Sequence, residues 1–137
     1  MMKSRDSLVR LKRFQVEEKR RRVAQIETMI NEFARMAADL DREIAVEEQR
    51  AGISDLAHFA YPTYARAARG RRDNLMHSSN ELRGQLDEAK ASLDEALAEL
   101  GKVQILDGRE KNLERAADLA EPGRGGLGEL GLRAAQA

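Results

Sequence analysis

The sequence predicts an all-α fold, a long antiparallel two-helix coiled-coil hairpin with a flexible C-terminal tail. Charged residues make up 35% of the chain and aromatic residues only 4%, a composition typical of long helices rather than compact globules. Two long stretches carry apolar residues at alternating steps of three and four, which is the period of a coiled-coil seam. A short interval containing Gly52 and Pro62 separates these stretches, so the chain can turn there and pair them.

The first helix is predicted over about residues 5–51. Ser4 and Ser7 can cap its start, and no Gly or Pro interrupts the sequence before Gly52. Its apolar residues form one narrow stripe, which needs a partner helix to bury it. The seam consists of Val9, Val16, Val23, Ile26, Ile30, Phe33, Ala37, Leu40 and Ile44.

The turn is predicted over about residues 52–61, with Gly52 ending the first helix in a left-handed conformation. The second helix is predicted over about residues 62–107, because Pro62 favours the first position of a helix. Its seam consists of Ala68, Leu75, Leu82, Leu86, Ala89, Leu93, Ala96, Leu100 and Val103.

Antiparallel pairing of the two seams gives a definite register. With the turn centred near residue 58, Leu40 is expected to lie opposite Leu75. Toward the free ends Lys12 and Lys19 occupy seam positions of the first helix. The helices are therefore expected to pair more loosely there.

A short helical extension is predicted over residues 109–120, after a break at Gly108. Glycine inside a helix costs about 1 kcal/mol relative to alanine, which favours the break. The Gly-rich residues 122–137 have the composition of a disordered tail. The sequence thus predicts one coiled-coil domain over residues 1–121.

The charge is balanced overall but uneven along the chain. With 24 basic and 24 acidic residues, the net charge is zero, so bulk attraction to nucleic acid is not expected. Residues 1–22 hold nine Lys or Arg and three acids, whereas residues 81–100 hold six acids and two bases. The basic end of the first helix is either an ordinary solvated face or a contact surface for an acidic partner.

Aromatic residues concentrate at the predicted turn. Phe59, Tyr61 and Tyr64 are three of the five aromatic residues, and His58 lies beside them. They either close the end of the hairpin against fraying or form a recognition patch, since aromatic side chains are enriched at binding hot spots.

The residues offer little for catalysis or cofactor binding. The chain has no Cys, and its two His residues lack the spacing of a metal site. We therefore expect no enzymatic activity, no metal and no cofactor. The charged N-terminal segment has no apolar run of secretory length, and nothing that follows is long enough to span a bilayer, so a cytoplasmic protein without membrane insertion is expected.

Two segments resemble the flagellar export protein family FliJ, in its α-proteobacterial form. These are SLVRLKRFQVEEKRRRVAQIETMI (residues 7–30) and the turn segment AGISDLAHFAYPTYARAARGRRDNL (residues 51–75). The similarity covers about residues 1–107, and Gly108 and the Gly-rich end depart from the family pattern.

The resemblance implies a non-enzymatic component of the flagellar type III protein export apparatus, required for flagellum biogenesis and motility. Such a protein is a central-stalk-like coiled coil that binds the hexameric export ATPase FliI and the export gate protein FlhA, and assists export chaperones. It is expected to be monomeric alone, and to lie at the cytoplasmic face of the inner membrane when assembled.

The excess of basic residues at the start of the first helix and the aromatic residues at the turn supply candidate residues for these contacts. The expected ATPase contacts are Arg10, Lys12, Arg13, Lys19, Arg20 and Arg21. The expected export-gate contacts are His58, Phe59, Tyr61 and Tyr64.

Two other functions remain open. A structural or adaptor coiled coil without an ATPase partner would dimerise through spare apolar residues such as Met29, Met36 and Leu97. A nucleic-acid-binding arm would use the arginines of residues 20–22, but no aromatic residues are interleaved there to stack on bases.

Overall fold

The computed structural model describes residues 2–120, and it contains two α-helices and no strand in that range. Helix α1 spans Met2–Ala51 and helix α2 spans Thr63–Ala120. The predicted all-α fold class is confirmed. The predicted disordered tail, residues 122–137, lies outside the described residues.

Helix α2 is longer than the sequence predicted. It continues without a break through Gly108 to Ala120, whereas the sequence predicted one helix ending at residue 107 and a separate extension. Lys111 Nζ lies 3.0 Å from Asp107 Oδ2, and this i,i+4 ion pair spans the glycine. Such pairs contribute a few tenths of a kcal/mol, which offsets part of the cost of the glycine. No proline follows to end the helix before residue 120.

The described residues group into two compact units, each built from parts of both helices. We call Val16–Ala96 the turn unit, and we call the described residues 2–15 and 97–120 the terminal unit.

The core of the turn unit is drawn largely from the predicted seam, and Tyr61 and Ala65, which lie outside that seam, are also part of it. Ile26 is only 1% exposed and is the largest fully buried side chain of the described chain. The predicted register also agrees with the structure, since Leu40 and Leu75 line the same groove. The other buried apolar residues of this unit are Val16, Ala37, Ile44, Tyr61, Ala65, Ala68, Leu82 and Ala96.

Ser79 is a buried polar residue that the apolar pattern did not reveal. It lies seven residues before Leu86, so it continues one series of the α2 seam toward the turn. Ser79 and Phe33 line the same groove.

The helices of the terminal unit are joined mainly by charged side chains. Three ion pairs connect α1 to α2: Lys12 with Glu99 at 2.8 Å, Arg5 with Glu110 at 2.6 Å, and Asp6 with Lys111 at 3.3 Å. Val9 is the one buried side chain among the described residues of this unit. Each exposed ion pair contributes only about 0–1 kcal/mol to stability. With one buried side chain, this unit is packed more loosely than the turn unit, as Lys12 at a seam position predicted.

Candidate functional site

Helix α1 ends in a Schellman motif at the turn. Gly52 has a φ of 68°, the left-handed conformation that glycine adopts without strain. The amide of Gly52 donates to the carbonyl of Gln49 at 3.3 Å, and the amide of Ile53 donates to that of Glu48 at 3.2 Å. The predicted left-handed cap is confirmed, and it fixes where the chain leaves α1.

Short-range hydrogen bonds then order the turn. The amide of Ala57 donates to Asp55 Oδ1 at 2.9 Å, and the amide of Ala60 donates to His58 Nδ1 at 3.0 Å. The amide of Tyr61 donates to the carbonyl of His58 at 3.1 Å. Side chains thus satisfy backbone donors that no helix or strand could satisfy here.

Tyr61 closes the end of the turn unit. Its side chain is only 5% exposed. The hydroxyl donates to Glu48 Oε1 at 2.8 Å and accepts from Arg69 Nε at 2.8 Å, while Arg69 Nη2 donates to the same Glu48 oxygen at 2.6 Å. The guanidinium of Arg66 lies 5.4 Å from the ring centroid, within cation–π range. A buried aromatic ring with a satisfied hydroxyl is a structural plug.

Phe59, unlike Tyr61, is almost fully exposed. Its side chain is 96% exposed, and its ring stacks on the ring of His58 with centroids 4.8 Å apart and planes inclined by 20°. Tyr64 is about half exposed, and its hydroxyl donates to Glu43 Oε2 at 2.8 Å, which raises the pKa of Tyr64. The four expected gate contacts therefore divide, with three exposed rings and one, Tyr61, turned inward.

The hydrogen bonds that join Tyr61, Glu48 and Arg69 shift the pKa values of the two charged residues. Hydrogen bonds from Arg69 and then Tyr61 hold the pKa of the Glu48 carboxyl below its ordinary value of 4.5. Hydrogen bonds to Glu48 and then to Tyr61 raise the pKa of Arg69. The folded turn therefore favours the ionised form of Glu48.

Acid should destabilise the turn through Glu48. Because its folded pKa is lowered, the stabilisation is present above the unfolded value and is lost as the pH falls through the folded pKa. We expect Glu48→Gln to lower the melting temperature by several degrees at pH 7, and the gap to wild type to narrow as the pH falls through the folded pKa of Glu48. Glu32→Gln is the control, since Glu32 is exposed with no ion-pair partner among the described residues. A gap that stays constant with pH would contradict the ionic role of Glu48.

The six expected ATPase contacts all lie on α1 but differ in their partners. Lys12 Nζ donates to Glu99 Oε2, which lowers the pKa of that carboxyl, and Arg21 pairs with Glu18 at 2.8 Å. Within the described part of the chain the other four have no ion-pair or hydrogen-bond partner, and all four are exposed. These are Arg10 and Arg13 in the terminal unit and Lys19 and Arg20 in the turn unit.

Three large apolar side chains near the same end of α1 are exposed and had no predicted role. Leu8 is 40% exposed, Leu11 is 50% and Phe14 is 58%. The signal was present in their spacing, because all three fall outside the seam series that contains Val9 and Val16. An apolar residue outside the seam of a coiled coil has no partner helix to cover it.

The described residues show no metal centre and no helix that could cross a membrane. Between residues 2 and 120, no group of three or more His, Cys, Asp or Glu could hold a metal ion. No helix in that part of the chain is both long and apolar enough to span a bilayer. The surface instead carries open grooves, one of about 490 Å³ lined by Met36, Leu40 and Leu75.

Two sets of exposed side chains are candidate contact surfaces. They are the exposed aromatic rings of the turn and the free cations of α1. Comparison with protein-family models, curated proteins and solved structures found no match for this chain.

Proposed function

We propose that the protein is a non-enzymatic component of the flagellar type III export apparatus, which binds the hexameric export ATPase and the export gate and assists export chaperones. The resemblance in residues 7–30 and 51–75 suggests this apparatus. The structural observation that carries the proposal is the set of exposed cations on α1, residues 10–20, that have no partner among the described residues.

Unpaired cations suit a contact with an acidic surface. A paired lysine such as Lys12 must give up its bond to Glu99 before it can bind elsewhere, whereas Arg10 and Arg13 lose nothing but water. Complementary charge speeds association and makes it sensitive to salt. The ATPase contact is therefore assigned to the four free cations rather than equally to all six.

Charge reversal on α1 tests the ATPase contact. The variant Arg10→Glu, Arg13→Glu, Arg20→Glu of the full chain should lose stimulation of ATP hydrolysis by the purified export ATPase. Its helix content by circular dichroism should be unchanged, since all three side chains are exposed.

A matched control changes the net charge by the same amount elsewhere. It is the variant Arg35→Glu, Arg83→Glu, Lys90→Glu, whose cations are exposed and have no ion-pair partner in the part of the chain that the structure describes. The control should stimulate ATP hydrolysis as wild type does. Full stimulation by the α1 variant would move the contact away from these cations, and absence of stimulation by wild type would refute the proposed function.

A second candidate is an adaptor coiled coil that pairs with a copy of itself. The groove lined by Met36, Leu40 and Leu75 favours it, together with the exposed Met29 on the same helix as Met36. Sedimentation at increasing protein concentration distinguishes the two functions, because the adaptor would associate without any ATPase.

A further inference from the structure

The start of α1 exposes apolar area that the fold does not use. Leu8, Leu11 and Phe14 follow one another at three-residue steps, so each is a neighbour of the next on the helix surface. All three are 40% or more exposed, whereas Val9 between them is buried against α2. Val9 therefore contributes to the core of the terminal unit, whereas much of the surface of Leu8, Leu11 and Phe14, which we call the apolar row, stays exposed.

The free cations of the terminal unit lie beside the apolar row. Arg10 is four residues before Phe14, and Arg13 is three residues after Arg10, so the two arginines form an adjacent row on the same helix. By contrast, Arg5 and Lys12 are bound to Glu110 and Glu99 of α2. The cations that turn toward α2 are paired, and those beside the apolar row have no partner in the described chain.

We propose that Leu8, Leu11, Phe14, Arg10 and Arg13 form one docking surface for a partner protein that presents an apolar pocket rimmed by carboxylates. Arg10 and Arg13 are positively charged, so they favour a pocket with carboxylates at its rim. The ring of Phe14 is the kind of side chain that dominates binding hot spots. The inference rests on the proposed function, since the partner is taken to be the export ATPase.

The two halves of this surface should respond differently to salt. Added salt screens the attraction between the arginines and carboxylates, but it does not weaken burial of the leucines and the phenylalanine. A purely ionic contact would vanish at high salt, whereas this contact should retain binding that depends on Leu11 and Phe14.

The test measures binding of the full chain to the purified export ATPase between about 0.05 and 0.5 M NaCl. Leu11→Gln with Phe14→Gln should lower the affinity at least about tenfold at every salt concentration and leave the salt slope unchanged. Arg10→Gln with Arg13→Gln should lower the affinity mainly at low salt and flatten the slope. Met76→Gln is the control, because Met76 is 52% exposed and lies in the turn unit.

The outcomes separate this inference from the proposed function. If wild type binds the ATPase and the Leu11 and Phe14 variant binds equally well, the apolar half is wrong while the function stands. If wild type does not bind, the function itself is wrong. Circular dichroism checks that the variant folds, and if it does not, Leu8→Gln and Phe14→Ala, tested singly, must each weaken binding for the inference to hold.

Discussion

Ile26→Asp should lower the free energy of unfolding by about 4 kcal/mol. Ile26 is the most buried large side chain of the seam, at 1% exposure. The substitution removes its apolar contacts and places a carboxylate at a position that is almost fully buried. The measurement is thermal unfolding followed by circular dichroism at 222 nm, an established readout of helix content.

Gln25→Asp is the control for this substitution. Gln25 is the preceding residue of α1 and is exposed, so the same new charge should change the free energy of unfolding by no more than about 0.5 kcal/mol. Equal melting temperatures for the two variants would show that Ile26 does not lie in the seam.

Tyr61→Ala should cost about 3 kcal/mol, the loss expected for a buried aromatic ring. The variant also leaves the Glu48 and Arg69 side chains without the hydroxyl that bridges them. Phe59→Ala is the matched substitution two residues away, and it should cost no more than about 0.5 kcal/mol because the ring is exposed. Similar melting temperatures for both variants would contradict the division between plug and exposed ring.

Under the proposed function, binding to the export gate should depend on the exposed rings and not on Tyr61, the reverse of their effects on stability. Phe59→Ala with Tyr64→Ala should weaken binding to the gate, since both rings are exposed, and leave ATPase stimulation near normal. Tyr61→Phe keeps the ring and should bind the gate as wild type does. If the Phe59 and Tyr64 variant melts early but binds the gate at full affinity, the exposed rings serve the fold rather than recognition.

The seam could be predicted from the sequence because its signal is repeated and local. Val16, Ala37 and Ile44 are separated by multiples of seven residues, so they occupy the same heptad position, and all three are buried. The left-handed cap at Gly52 was predictable for a similar reason, since only glycine adopts that conformation freely. Gly108 shows the limit of such rules, because a single unfavourable residue did not end a helix whose neighbours favour it.

The polar contacts between the two helices could not be predicted in this way. Arg72 donates to Asp41 at 2.9 Å across 31 residues of sequence, and Arg69 reaches Glu48 across 21. A charged residue becomes a structural partner only when the other helix brings an opposite charge within about 3 Å. Periodicity predicted the register of the seams, but it does not specify the side-chain rotamers that also set this distance.

The same limit applied to the candidate sites. The order of residues along the chain is enough to place the cations at the start of α1 and the aromatic rings at the turn. Packing of the two helices then binds Lys12 to Glu99 but leaves Arg10 free, and it buries Tyr61 but leaves Phe59 exposed. The physical reason is that residue type fixes what a side chain can bind, but only the packing of the second helix fixes whether it is already bound.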